Sequence, residues 1–135
     1  MEVPFIKLFI VAFFLNLVWE VLHSALYTTC HQMPLGKVQR LLVVMSLKDA
    51  FWICVFFGAS ILLFGSLDPF FNLWQLVFFT FVALGFSFID ERVSTHIGRW
   101  EYASSMPTVL GVGVTPLLEV AVTGVAALSI VFFLL

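Results

Sequence analysis

The chain has 135 residues, of which 62% are apolar and 10% charged, with 17 Phe and 4 Trp. A soluble domain is about 45–50% apolar and about 25% charged, so water is excluded as the main solvent of this surface and the lipid bilayer is the expected one. Six Lys/Arg against eight Asp/Glu leave a formal charge of −2, which offers no basic patch for nucleic acid.

A membrane-crossing helix needs about 20 mostly apolar residues, and four stretches are read as spans: 4–27, 50–67, 69–89 and 107–135. The first carries Asn16, Glu20 and His23 within it. Its only basic flank is Lys7 and no small-residue cleavage site follows promptly, so it reads as a retained helix rather than a signal peptide. Residues 34–47 mix Lys37, Gln39 and Arg40 with Leu35, Val38, Leu41, Leu42 and Val44. That pattern suits either an interfacial helix in the first cytoplasmic loop or an early start to the second span, which itself is free of charge. Asp68-Pro69 opens the third span as a cap residue followed by proline in the first turn. In the fourth, Met106-Pro107, Gly111-x-Gly113 and Thr115-Pro116 loosen the backbone before the helix proper. The freed amides of a helix starting at Pro116 could face an anionic group, and a short re-entrant or interfacial turn without a ligand is the simpler alternative. Small residues at Gly58-Ala59-Ser60 and at Ala121, Gly124 and Ala127 would let helices approach closely. The expected architecture is all-α: a polytopic four-transmembrane-helix bundle forming one domain over 1–135.

Alternation of four spans places loops 28–49 and 90–105 on one side. Lys37, Arg40, Lys48, Arg92 and Arg99 then share that side, while Lys7 stands alone on the other. The positive-inside bias predicts the inner (cytoplasmic) cell membrane, with both termini outside and the two longer loops in the cytoplasm. Glu2, Lys7 and Asp68 fall on the outer side, and the remaining charges in or near the cytoplasmic half.

Polar groups inside a bilayer are costly and face a protein interior or a cavity. Asn16, Glu20, His23 and Tyr27 follow at spacings of 4, 3 and 4, so one face of the first helix is polar for nearly three turns. Asp49 begins the second span, Asp90 and Glu91 end the third, and Glu119 lies early in the fourth. Every span therefore contributes a carboxylate near one depth. Glu20 and His23 are the candidate acid–base pair. Asn16, Tyr27, Asp49, Asp90, Arg92, His96, Arg99, Trp100, Tyr102 and Glu119 are candidate ligand-binding residues. Trp100 and Tyr102 are most simply an interfacial aromatic belt, and Arg92 and Arg99 either orientation determinants or guanidinium partners that neutralise Glu20 or Glu119.

Two cysteines allow one disulfide, but Cys30 falls in a cytoplasmic loop and Cys54 within a span, so both are expected to be free. Cys30-His31-x-Met33 offers soft ligands for copper(I) or zinc, yet such a lone cluster is a weak signal and no metal is assigned. Neither a Walker loop, a G-x-S-x-G elbow nor a C-x-x-C pair occurs, so no cofactor is assigned.

The stretch Asn16-Leu17-Val18-Trp19-Glu20 with Leu26-Tyr27, and later Trp100-x-Tyr102, Met106-Pro107, Gly111-x-Gly113 and Pro116-Leu117-Leu118, resembles a group of small four-helix bacterial and archaeal membrane proteins. Trp19, Glu20 and Asp49 match that group, whereas glutamine often stands there in place of His23 or Glu119 and a Gly-Asp pair in place of Lys48-Asp49. The resemblance implies a four-helix bundle and singles out Glu20; it implies no particular reaction.

Three functions are open to such a chain. The first is a pocket in the cytoplasmic half of the bundle that binds or converts a lipophilic, isoprenoid- or lipid-like molecule by acid–base chemistry. The second is a proton- or cation-coupled transporter or channel subunit working as an oligomer. The third is a structural subunit of a membrane complex. The outer half has only Asn72 and Gln75 in the third span and Thr123 and Ser129 in the fourth, so a one-sided pocket is expected over a pore.

Overall fold

The computed structural model describes residues 4–135; Glu2, expected on the outer side, lies outside them. Helix α1 spans Phe5–His23 and runs into a single 3-10 turn, Ser24–Leu26. A short α2, Thr28–Gln32, leads to α3, Leu35–Phe64. Helix α4 is Leu73–His96, and a two-stranded hairpin, β1 (Thr108–Val109) and β2 (Val112–Gly113), precedes α5, Val114–Phe133. Consecutive long helices are neighbours: α1 packs on α3 and α5, and α4 on the same two, which is the order of an up-and-down bundle.

Four of these helices are long and apolar enough to cross a membrane. Outward-facing side chains such as Ile6, Leu22, Leu62 and Trp74 are 74–87% exposed, a surface that only lipid solvates without cost. This is a multi-pass membrane protein. The interior is built from Leu8, Ala12, Ile53, Phe57, Phe79, Ala83, Ala127 and Leu128, all fully buried.

The first helix ends at His23, short of the expected 27, and leaves Tyr27 extended. Of the two readings of residues 34–47 the early start holds: they form the first turns of one continuous helix, because Pro34 caps the start and nothing between Lys37 and Phe64 breaks the ladder. At about 1.5 Å per residue the 30-residue α3 exceeds a hydrocarbon core of about 30 Å, so its exposed Lys37, Gln39 and Arg40 extend past the apolar layer. The third helix begins at Leu73, not Pro69. Asp68 Oδ1 instead accepts from Phe70 N (2.9 Å) in a turn, and Asn72 Oδ1 caps the helix through Trp74 N (3.2 Å). That helix also continues two turns beyond Ile89 to His96, so Asp90, Glu91 and Arg92 are helical rather than in a loop.

The loosened segment before α5 is a tight hairpin. Leu110 (φ 53°) and Gly111 (φ 79°) both hold positive φ, the backbone of a two-residue type I′ turn. Pairing of Val109 with Val112 sets its register. Pro116 sits in the first turn of α5, where its missing N–H has no intrahelical partner to lose.

Gly124 is the glycine at which helices leave least room for a side chain. A Cβ built there would meet Phe79 Cζ at 2.6 Å and Ile53 Cγ1 at 3.4 Å, whereas one at Gly58 would meet Phe5 at an ordinary 3.6 Å.

Candidate functional site

The polar face of α1 points into the bundle with Asn16, Glu20 and His23 buried, while Tyr27, expected on the same helical face, lies beyond the helix end in extended backbone and is buried there. Asn16 is occupied structurally. Its Nδ2 donates to the Ala12 carbonyl (2.7 Å) and its Oδ1 accepts from the Thr123 hydroxyl (3.1 Å), tying α1 to α5. Two turns further, His23 Nε2 stands 3.1 Å from Glu20 Oε2 and 3.8 Å from Glu119 Oε1 of α5. His23 Nδ1 lies 3.0 Å from Thr115 Oγ1, whose hydroxyl also contacts Met106 Sδ at 3.6 Å. The Trp19 indole donates to the Thr115 carbonyl (3.1 Å) and fixes the first turn of α5 against α1. Asp49, from α3, is buried in the same cleft as Glu119.

These groups line a half-open cleft of about 50 Å³, enough for a few water-sized groups. Leu42 and Val120 are buried in its wall, and Leu41, Met45, Lys48, Phe86 and Asp90, only half buried, form its rim. The carboxylates of Glu20, Asp49, Asp90, Glu91 and Glu119 all face this space, with Lys48 and His23 as the basic groups.

Opposite His23 lies a second cluster, centred on Glu91. Its Oε1 accepts from the Tyr27 hydroxyl (2.7 Å), the Trp100 indole N–H (3.0 Å) and the Tyr102 hydroxyl (3.0 Å). Tyr102 in turn accepts from Gly113 N at 3.0 Å, and Tyr27 pairs with Tyr102 as an isolated antiparallel bridge. One carboxylate thus holds the 97–113 connection against α4 and the end of α1. Burial, with the Glu91 charge beside it, pushes the Tyr27 phenol far above its ordinary range. Burial likewise raises Tyr102, so both remain hydrogen-bond donors at any physiological pH. Trp100 and Tyr102 are therefore not simply an outward belt: their polar tips turn inward to Glu91.

At the rim, Lys48 Nζ donates to Asp90 Oδ2 at 2.7 Å, both side chains 28% exposed. A solvent-screened pair of this kind contributes about 1 kcal/mol at most. Asp90→Asn is expected to shift the melting free energy by less than that, as thermal unfolding in detergent would register.

The arginines stay away from the carboxylates. Arg92 is exposed and donates to the Leu110 carbonyl (3.0 Å), clamping the hairpin turn over α4. Arg99 is exposed, and among the described residues neither arginine forms an ion pair. The expected guanidinium partners of Glu20 and Glu119 are thus not in place, because the extra helical turns of α4 carry Arg92 to its outer face. His96 lies on that outer face too, exposed beside Arg92 and Val93. Cys30 and Cys54 are free. Burial and the Glu20 charge push the Cys30 thiol up, away from thiolate, while His31 is spent on the Ala25 carbonyl at 2.7 Å.

Glu91, Thr115, Lys48 and Trp19 belong to the site although they were not among the candidates. For Glu91 a signal existed: Gln75, Phe79, Ala83, Ser87, Glu91 and Ser94 recur at helical spacing and are all buried, a face running past Ile89. Comparison with protein-family models, with curated proteins and with solved structures finds no match to this chain.

Proposed function

We propose that the cleft binds the polar end of a lipophilic molecule, isoprenoid- or lipid-like, and exchanges a proton with it. The observation that carries this reading is His23 Nε2 held 3.1 Å from Glu20 Oε2 inside a half-open cleft with apolar walls. An imidazole beside a carboxylate in a water-poor site can take a proton from one carbon or oxygen of a bound molecule and return it to another. Double-bond isomerisation or cyclisation requires no more than that. Glu20 and His23 are the acid–base pair, and Asp49 and Glu119 set the charge around it. Tyr27 and Trp100, oriented by Glu91, face the ligand's polar end. The small cavity takes only that end, and the tail lies along Leu41, Met45 and Phe86 toward lipid.

A one-sided site fits better than a conduit. Beyond the Asn16–Thr123 contact the interior is closed by Ala12, Phe57, Phe79, Ala127 and Leu128, all fully buried. Under the positive-inside bias the cleft belongs to the cytoplasmic half.

The test is mass spectrometry of lipophilic species retained by the full chain after extraction in mild detergent. Wild type should retain a species at near one per chain, and Glu20→Gln and His23→Gln should retain at least about tenfold less while keeping the same helical content. Undiminished retention by both variants would remove the proposal.

A further inference from the structure

Among the described residues, Glu20, His23 and Glu119 are the group whose metal-ligating atoms converge, one atom from each lying within 4.8 Å of the others, and all three are buried. We propose that they form a site for a divalent first-row transition-metal ion, of the Zn²⁺ or Mn²⁺ class, with its remaining coordination positions open to the cleft.

The spacing suits such an ion. Zinc bound to nitrogen and oxygen at about 2.0–2.1 Å in a tetrahedron sets its ligands about 3.3 Å apart. His23 Nε2 stands 3.1 Å from Glu20 Oε2 and 3.8 Å from Glu119 Oε1, which bracket that spacing, and the three ligand atoms lie within 4.8 Å of one another, so the carboxylates draw together as the ion binds. An independent observation points into the same space. Glu119 is 3% exposed and lines the cleft, and its Oε2 receives no hydrogen bond from any described residue. A buried acceptor without a donor is costly, and a cation held by both oxygens of the Glu119 carboxylate satisfies it.

Thr115 Oγ1 stands 3.0 Å from His23 Nδ1 and 3.6 Å from Met106 Sδ. The proposed site uses the tautomer in which Nδ1–H donates to Thr115 Oγ1 and the hydroxyl hydrogen turns to the sulfur. That leaves the Nε2 lone pair facing two carboxylate oxygens. Three acceptors face one another in a buried site only with a proton or a metal ion between them. Among the described residues no basic side chain enters the gap, since Lys48 is held by Asp90 and Arg92 and Arg99 are on the outer surface. A metal ion that takes the place of the proton releases it as it binds. One imidazole with two carboxylates favours a transition ion over Mg²⁺ or Ca²⁺, which take all-oxygen sets. Thr115 is then a positioning residue that fixes the imidazole tautomer from behind the ligand atom.

A bound ion would give the cleft a Lewis acid or an activated water. With Glu20 and His23 on the ion, that water and not the bare pair would exchange the proton with the ligand. The inference rests on the function proposed above in this altered form, yet its test requires no lipophilic ligand. The full chain in detergent, stripped with a chelator, is dialysed against Zn²⁺ and analysed for metal, with circular dichroism confirming the fold of each variant. One Zn²⁺ per chain is expected, bound at least about a hundredfold more weakly by His23→Gln and Glu119→Gln and about tenfold more weakly by Thr115→Val. His31→Gln should bind as wild type does, and excess Mg²⁺ should not displace the ion. Wild type alone supplies a readout free of mutational damage: about one proton released per Zn²⁺ bound in weakly buffered solution. Substoichiometric Zn²⁺, binding kept by both ligand variants, binding lost in His31→Gln, or no proton release would overturn the metal site. Absence of Zn²⁺ with lipophile retention intact overturns this inference alone. Zn²⁺ binding with lipophile retention indifferent to Glu20 and His23 supports this inference and overturns only the previous one.

Discussion

Replacing Glu91 by Leu is expected to destabilise the protein by about 3–5 kcal/mol, because three donors lose their acceptor at once. Tyr27, Trp100 and Tyr102 all direct their polar hydrogens at Glu91 Oε1 within 2.7–3.0 Å. An unsatisfied buried donor costs about 1–3 kcal/mol. Tyr27 is 7% exposed and takes the larger share, while Tyr102 and Trp100 are half buried and recover part of theirs from water. Glu91→Gln keeps an acceptor oxygen in the same place, so its cost should fall to about 1–2 kcal/mol. Thermal unfolding in detergent gives both numbers, and Trp100 fluorescence should shift to the red in the Leu variant as the indole is released. A Leu variant that melts with wild type would show that the carboxylate is dispensable for holding the 97–113 connection.

Gly124→Val is the second large effect, at about 3 kcal/mol or more. A Cβ alone would lie 2.6 and 2.8 Å from two atoms of the Phe79 ring, and Phe79 is fully buried, so the ring has nowhere to swing. Overpacking of this kind costs about 1–3 kcal/mol, and the γ-methyls of valine add to it. Gly124→Ala should be milder, since a better helix former returns roughly 1 kcal/mol. Phe79→Leu in the Gly124→Ala background should recover stability, with a coupling of about 0.5–3 kcal/mol in a double-mutant cycle. Strict additivity of the two changes would mean that α4 and α5 do not press on each other at this point. The contact bears on the site because these two helices carry Glu91 and Glu119.

Much of the architecture is legible without coordinates because it rests on local regularities. Apolar runs of sufficient length mark spans, and the 4-3 spacing of Asn16, Glu20 and His23 marks a buried face whatever packs on it. Tyr27, in contrast, is buried by its extended pairing with Tyr102 and not by helical spacing. Helix ends are less legible. Asp68-Pro69 has the chemistry of a cap and does cap a turn, but Asn72 competes with it four residues on and starts the helix. Asp90 through His96 look like a loop by charge, yet lie within α4 because charged residues at a membrane boundary continue a helix readily.

The amino-acid order by itself determined the solvent, the four long apolar helices, and the convergence of carboxylates from each of those four toward one end. Those properties follow from composition and from spacing within single segments. Which carboxylate meets which partner was decided only by the tertiary structure. Glu91 finds Tyr27 across 64 residues of chain, His23 finds Thr115 across 92, and Asn16 finds Thr123 across 107. A shift of one turn in any helix register would exchange these partners without altering a single local pattern. For the same reason Arg92, close in sequence to the acidic cluster, came to clamp a hairpin on the outer face instead.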